Sequence, residues 1–87
     1  MNEIEIFLKY LNKYRSGDCS LEEVQYYFEE LDNFHIFWHY ISDQDIREKD
    51  AEYEKMQNKE LEIVIKAIEN TDYAKANNVT FLGSSRV

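Results

Sequence analysis

Apolar residues recur every three or four positions along most of this chain, which is the spacing of one face of an α-helix. The first such set is Ile4, Phe7, Leu8, Leu11 and Tyr14. It predicts a helix from about Asn2 to Tyr14. The segment RSGDCS then interrupts the pattern, and Gly17 suits the turn that follows a helix C-terminus.

A second helix is predicted to begin after Ser20, because SLEE has the form of a capping box. In such a box the Ser20 hydroxyl accepts a hydrogen bond from a first-turn amide, and Glu23 reaches back to the cap. The buried stripe of this helix is predicted to be Leu21, Val24, Phe28 and Leu31.

The segment FHIFWHYI predicts a third helix, capped by Asp32 or Asn33, unless it continues the second one. The residues predicted to face the core are Phe34, Phe37, Trp38 and Ile41. This register leaves His35, His39 and Tyr40 on the flanks of the helix.

Ser42 and Asp45 form another plausible cap, which opens a long helix from Asp43 to about Asn70. Its apolar stripe is Ile46, Tyr53, Met56, Leu61, Val64 and Ile68. Such a helix would be about 42 Å long, with QNK, residues 57 to 59, as a candidate break. The segment LEIVIKAI alternates like a strand, but its flanking residues and helical register favour a helix.

The segment TDYAKANN predicts one short helical turn from Thr71, before a tail in which Val79 and Phe81 have strand-like character. The chain has no proline and only two glycines. The expected fold class is therefore all-α, a small bundle of three to four helices with one long helix in the C-terminal half and a loose C-terminal tail. Residues 1–82 are predicted to form a single helical domain, and 83–87 a flexible tail.

The net charge of the 87-residue chain is −8, and it is unevenly distributed. Residues 16–46 contain eight carboxylates and no Lys or Arg, and the same segment holds seven of the 13 aromatic residues. An acidic surface disfavours direct binding of nucleic acid phosphates or anionic membranes. It favours a basic protein partner.

Several classes of protein are not expected from this sequence. No apolar run approaches the ~20 residues of a membrane span, and the acidic N-terminus does not resemble a secretory signal. Cys19 is the only cysteine, so no internal disulfide is expected, and a reducing, cytoplasmic location is predicted.

His35 and His39 are four residues apart, and Asp43 follows at the same interval. On a continuous helix, two histidines with this spacing can share a zinc ion. However, Ile36 stands where a metalloprotease helix would carry its glutamate, and Ser42 is expected to end the helix before Asp43. Two partly exposed histidines without metal are the favoured interpretation, and no cofactor is expected.

Catalytic chemistry is also not predicted. Cys19 precedes a helix N-terminus, but the neighbouring Asp18, Glu22 and Glu23 oppose formation of a thiolate. Paired carboxylates need a shaped, partly dry cleft for acid–base catalysis, which a domain of this size rarely provides. The chain is therefore expected not to be an enzyme.

The acidic and aromatic residues between positions 22 and 45 are the candidate binding surface. Tyrosine and tryptophan are common hot spots because they bury much area at low entropic cost, and surrounding acids steer a basic partner. The predicted partner-binding residues are Glu22, Glu23, Tyr26, Tyr27, Glu29, Glu30, Asp32, Trp38, Tyr40, Asp43 and Asp45. The alternative is that the rings fill the core and the acids only solubilise the chain.

Three features carry a family resemblance: the apolar helix IFLKYL, the break SGDCS and the capped helix SLEEVQYYFEEL. With them, the first thirty residues resemble the helix–turn–helix start of colicin-type and contact-dependent toxin immunity proteins. The resemblance covers about a third of the chain. It implies an immunity or antitoxin role in a bacterium.

Charge and resemblance together predict a non-enzymatic acidic protein that inhibits a basic partner, in particular an immunity protein masking the active site of a nuclease toxin. One alternative is a phage or mobile-element protein that inhibits a host nucleic-acid-acting defence enzyme by charge mimicry. The other is a small metal-binding regulator that uses His35 and His39. The sequence does not specify an oligomeric state.

Overall fold

The computed structural model describes residues 2–79 and 81, and these contain six helices and no strand. The helices are α1 (Glu3–Arg15), α2 (Leu21–Phe28), α3 (Phe37–Ser42), α4 (Gln44–Lys49), α5 (Ala51–Glu69) and α6 (Tyr73–Asn77). The all-α prediction is confirmed, whereas the predicted number of three to four helices is wrong. Contacts group the chain into two compact units, Met1–Asn33 and Phe34–Val87.

In the first unit, α1 begins with a complete capping box. The Asn2 side chain accepts a hydrogen bond from the Glu5 amide over 2.8 Å, and the Asn2 amide donates to the Glu5 carboxylate over 3.2 Å. The helix is followed by Gly17 at φ 82°, a conformation in which glycine has no side-chain penalty. The predicted first helix and its glycine turn are confirmed.

Helix α2 begins where the sequence predicts, because the Ser20 hydroxyl accepts a hydrogen bond from the Glu23 amide over 3.3 Å. It packs on α1 through Phe7 and Phe28, whose ring centroids are 5.5 Å apart. The short connection between the helices makes the pair an antiparallel hairpin. The start of α1 therefore lies beside the end of α2.

In the second unit, α3 begins at Phe37 rather than directly after a cap at Asp32 or Asn33. Phe34 has a φ of 56°, which interrupts any helix through this point. Its amide donates to the Asn77 side chain over 3.0 Å, and its buried ring contacts Tyr73 edge-on. This late start changes which residues of α3 face inward.

The predicted long helix is divided in two at Asp50. The Asp50 backbone is extended, with φ −135° and ψ 102°, and its carboxylate accepts hydrogen bonds from the amides of Glu52 and Tyr53. Asp50 thus ends α4 and caps α5, whose 19 residues span about 28 Å. The predicted break at residues 57–59 is wrong, because α5 is continuous there.

The core of the second unit combines α5 residues with rings from α3 and the segment after α6. Its α5 members include Leu61, Val64 and Ile68, as predicted. The rings of Phe37, Tyr40 and Phe81 contact one another with centroids 5.5 to 5.9 Å apart. Phe81 is buried and no strand is formed by the described residues around it. The predicted flexible tail, 83–87, lies outside the described residues.

A polar network is buried within this unit. Gln57 is fully buried and donates from Nε2 to the carboxylate of Asp43 and to the carbonyl of Phe81, each over 2.9 Å. Arg47 is also buried, and its guanidinium lies 3.7 Å from the centre of the Tyr40 ring. Its Nη2 has no hydrogen-bond partner among the described residues.

Helix α4 shows the reverse of the expected burial. Ile46, predicted to belong to the apolar stripe, is 46% exposed, whereas the neighbouring Arg47 is buried. Because the helix breaks at Asp50, α4 and α5 have different registers. An apolar stripe predicted for one continuous helix is therefore wrong in α4. None of the described helices has the length and apolar character needed to cross a membrane.

Candidate functional site

Three tyrosines of the first unit form a compact group, here called the tyrosine cluster: Tyr10, Tyr26 and Tyr27. The rings of Tyr10 and Tyr27 are stacked, with centroids 4.2 Å apart and an interplanar angle of 17°. Tyr26 meets Tyr27 edge-on at 5.1 Å and is 63% exposed. The cluster therefore presents an aromatic side chain that is already supported by two others.

Two of the three hydroxyl groups of the cluster are linked as well. The Tyr27 hydroxyl donates to that of Tyr10 over 3.5 Å. This hydrogen bond, together with partial desolvation, raises the pKa of Tyr27 above its ordinary value of 10.0. Tyr27 is therefore neutral at physiological pH, and its contribution to binding would be ring area and a hydroxyl hydrogen bond.

Two basic residues of α1 lie beside the cluster, which the charge count of residues 16–46 did not reveal. The ammonium groups of Lys9 and Lys13 are 5.9 Å and 5.2 Å from the centre of the Tyr10 ring. Both distances are within the range of cation–π attraction. The Tyr10 side of the cluster is therefore not acidic. Predicting this from the sequence would have required the packing of α1 on α2.

The predicted acids of the first unit are all exposed. They are Glu22, Glu23, Glu29, Glu30 and Asp32. Three of them follow α2 or lie at its end, and α2 has no basic residue in its last turn. Glu3 and Glu5, in the first turn of α1, lie at the same end, whereas Lys13 and Arg15 lie in the last turn of α1. This end of the hairpin is therefore the more negative one.

A small pocket lies at that end, between the first turns of α1 and the last turn of α2. Its volume is about 130 Å³, and its lining residues are Glu3, Ile6, Tyr27 and Glu30. It is called the Glu3–Glu30 pocket below. A wider groove of about 400 Å³ has Glu3 in common with it and is also lined by Leu31 and Asp32. Sequence reasoning did not include Glu3 or Ile6 in the binding surface.

In the second unit, the predicted exposures of Trp38 and Tyr40 were wrong. The predicted register turned Trp38 inward, although the residue was also named as a partner contact, and it is 40% exposed. Tyr40 was expected on the flank and is 1% exposed. The Tyr40 hydroxyl donates to the side chain of Asn58 over 2.9 Å, and its ring packs in the core. Tyr40 therefore serves the interior and is not available as an anchor for a partner.

The two acids predicted in this unit differ in position. Asp43 is half-buried, and its carboxylate accepts hydrogen bonds from Tyr53 and Gln57 over 2.8 and 2.9 Å. Asp45 is exposed in the first turn of α4. Of the pair, only Asp45 presents its carboxylate mainly to solvent.

His35 and His39 line one open groove of about 350 Å³ together with Ile36, Trp38 and Ser42. They do not share a helix, because α3 begins after His35. Zinc sites use three or four protein ligands, and residues 2–79 and 81 contain no group of three that could hold a metal ion. The groove is therefore a surface feature with two imidazoles and one indole.

The Cys19 thiol is half-buried and donates to the carbonyl of Tyr10 over 3.4 Å. Burial raises its pKa above the ordinary value of 9.0, and the nearby carboxylates of Glu23 and Asp18 raise it further, against a smaller opposing effect of Lys13. A raised pKa reduces the thiolate fraction at neutral pH. This environment is the opposite of that found around reactive cysteines.

Comparisons with protein families, with curated proteins and with solved structures found no match for this chain.

Proposed function

We propose that this chain is a non-enzymatic acidic binding protein that inhibits a basic protein partner, and specifically an immunity protein or antitoxin that masks a nuclease. One observation carries the proposal: Tyr26 is 63% exposed and is braced by the stacked rings of Tyr27 and Tyr10, beside an acidic helix end. Large exposed rings that are held in place before binding are typical of interface hot spots.

The chemistry of a nuclease explains why such a surface would be useful. Its active site must be positively charged, because its substrate is a polyanion. An acidic inhibitor matches that surface, competes with the substrate and associates rapidly through long-range attraction. The exposed acids at the end of α2 supply that attraction in this proposal.

In this proposal, the exposure of each side chain decides its role. Tyr26 and Tyr27 anchor the partner, and Glu29, Glu30 and Asp32 steer it. Trp38, in the second unit, is 40% exposed and remains a candidate contact there. Tyr40 and Asp43 are withdrawn from the proposed surface, because one is buried and the other is engaged with Tyr53 and Gln57.

The test begins with affinity capture from the source cell, using the tagged full chain at low and high salt, and includes the product of the neighbouring gene as a direct candidate. Each captured protein is then purified and its activity on nucleic acid is measured with and without the chain. We expect a basic protein whose activity is inhibited at a fixed stoichiometry and whose binding weakens with salt. A partner without net positive charge, or without inhibition, contradicts the proposal.

A further inference from the structure

The Glu3–Glu30 pocket has the shape and chemistry of a receptor for a single side chain. Its volume of about 130 Å³ is well below the ~300–1,000 Å³ of sites that hold small-molecule ligands. Ile6 and the Tyr27 ring provide apolar lining, and the two glutamates provide negative charge. A long cationic side chain needs this combination, since its stem is apolar and only its tip is charged.

The two carboxylates of the pocket are available, unlike their neighbours. Glu5 is engaged in the capping box with Asn2, and Glu29 accepts a hydrogen bond from Gln25 over 3.1 Å. Glu3 and Glu30, by contrast, make no hydrogen bond or ion pair with any residue in the described part of the chain. A cation placed between them would be attracted by both without displacing an existing contact.

We infer that the Glu3–Glu30 pocket receives an arginine side chain of the basic partner, with the guanidinium bound between the carboxylates of Glu3 and Glu30 and the stem against Ile6 and Tyr27. This inference rests on the proposed function, and it names the group of the partner that the surface recognises. Arginine fits better than lysine, because its planar guanidinium offers paired hydrogen-bond donors to carboxylates.

The position of the pocket supports this assignment. Tyr27 belongs both to the pocket and to the tyrosine cluster, where it contacts the exposed ring of Tyr26. An arginine in the pocket and an apolar residue on Tyr26 would therefore be neighbours on one binding surface. Lys9 and Lys13 lie beside Tyr10 and do not line the pocket.

The test uses a synthetic peptide of alternating arginine and glycine as the probe, with the isotope-labelled full chain observed by two-dimensional NMR. Two further peptides have lysine or citrulline in place of arginine. Lysine keeps the positive charge but not the planar guanidinium, and citrulline keeps a similar shape but is neutral. We expect salt-sensitive binding of the arginine peptide, with the largest shifts at Glu3, Ile6, Tyr27 and Glu30. Lysine should bind more weakly, and citrulline should produce no shifts.

A pair of variants then locates the site. Glu3→Gln with Glu30→Gln should weaken the arginine peptide by about three- to ten-fold, the size expected for two exposed ion pairs. The matched control, Glu54→Gln with Glu69→Gln, removes the same charge from exposed positions of α5 and should weaken it by less than about two-fold. Circular dichroism of both variants confirms that the helices are retained.

The outcomes separate the two proposals. If the peptide binds in a salt-sensitive way but shifts other residues, or if both variant pairs weaken it equally, the pocket assignment is overturned and the proposed function stands. If no basic peptide binds at low salt, the pocket assignment and the acidic docking surface both fail.

Discussion

The guanidinium of Arg47 donates a hydrogen bond to the side-chain oxygen of Gln57 over 2.7 Å, at a depth where both side chains are buried. Gln57 also makes a second hydrogen bond, in which its Nε2 donates to the carboxylate of Asp43. One amide therefore connects a buried cation with a half-buried anion. This relationship holds α4 against the middle of α5.

Replacing Gln57 should be costly for that reason. Gln57→Leu leaves Arg47 and Asp43 each without one hydrogen bond, and we expect it to lower the free energy of unfolding by about 2–3 kcal/mol. Urea denaturation followed by circular dichroism measures the change. The control is Gln44→Leu, at an exposed position of α4, which should stay within about 0.5 kcal/mol of the parent. Equal losses in the two variants would show that the network is unimportant.

Asp50 should stabilise α5 through its cap. In Asp50→Ala the amides of Glu52 and Tyr53 lose their acceptor, and we expect a loss of about 1 kcal/mol. Asp50→Asn is the matched control, because asparagine caps a helix as well as aspartate does. Thermal unfolding of the three proteins should place the asparagine variant near the parent. An alanine variant with unchanged stability would contradict the role of Asp50 as a cap.

Tyr26 and Tyr40 should respond in opposite ways to the same truncation. Tyr26→Ala removes an exposed ring, so we expect stability within about 0.5 kcal/mol of the parent and partner affinity lowered at least about ten-fold. Tyr40→Ala opens a cavity in the core and should cost about 3–5 kcal/mol of stability. Denaturation and binding isotherms for both variants measure these effects. A Tyr26 variant with full affinity would exclude this ring as the anchor.

Charge at the end of α2 should govern the speed of association. Reversing Glu29, Glu30 and Asp32 to lysine should slow binding of the captured basic partner by about ten-fold or more at low salt, and flatten the dependence on salt. Stopped-flow mixing measures the association rate. The same change at Glu52, Glu54 and Glu69 is the control for total charge. If the two triple variants slow association equally, steering depends on net charge rather than on this helix end.

The Cys19 thiol should lose its proton at a higher pH in the folded chain than in the unfolded chain. The stability of the fold should therefore decrease at alkaline pH. The pKa of the thiol in the folded chain is raised above 9.0 by burial and by nearby carboxylates, so the unfolded chain loses the proton first as pH rises. The stabilising contribution is therefore complete below about pH 9 and is lost as pH rises through the folded pKa. The rate of alkylation of Cys19 against pH, in native protein and in urea, should show the higher midpoint in the native protein. A midpoint below that in urea would contradict the assigned environment.

The sequence predicted local structure well where the signal was itself local. Ser20 and Gly17 act through neighbouring backbone groups, so the boundaries around the first loop could be read directly. Asp50 was predicted to lie inside a helix, because Ile46 and Tyr53 on either side of it were assigned to one apolar stripe. Acid-rich segments contain many potential caps, and the one that is used depends on where α4 packs.

The binding surface was harder to predict, since it depends on contacts between distant positions. The burial of Tyr40 follows from its packing against Phe81, 41 residues further along. The unusual backbone of Phe34 set a start for α3 that no periodicity indicated. The acidic segment itself was evident, but the roles of Glu3 and Lys13 required the hairpin, which brings α1 beside the tyrosine cluster.

The conformation of Phe34 has a consequence for which amino acids this position can accept. A left-handed backbone favours glycine, yet only a large ring fills the space against Tyr73. These two requirements exclude most amino acids. β-Branched residues strain a left-handed backbone, and glycine has no side chain to pack against Tyr73. Natural variants of this chain should consequently keep an unbranched, bulky residue here, even where the surrounding surface diverges.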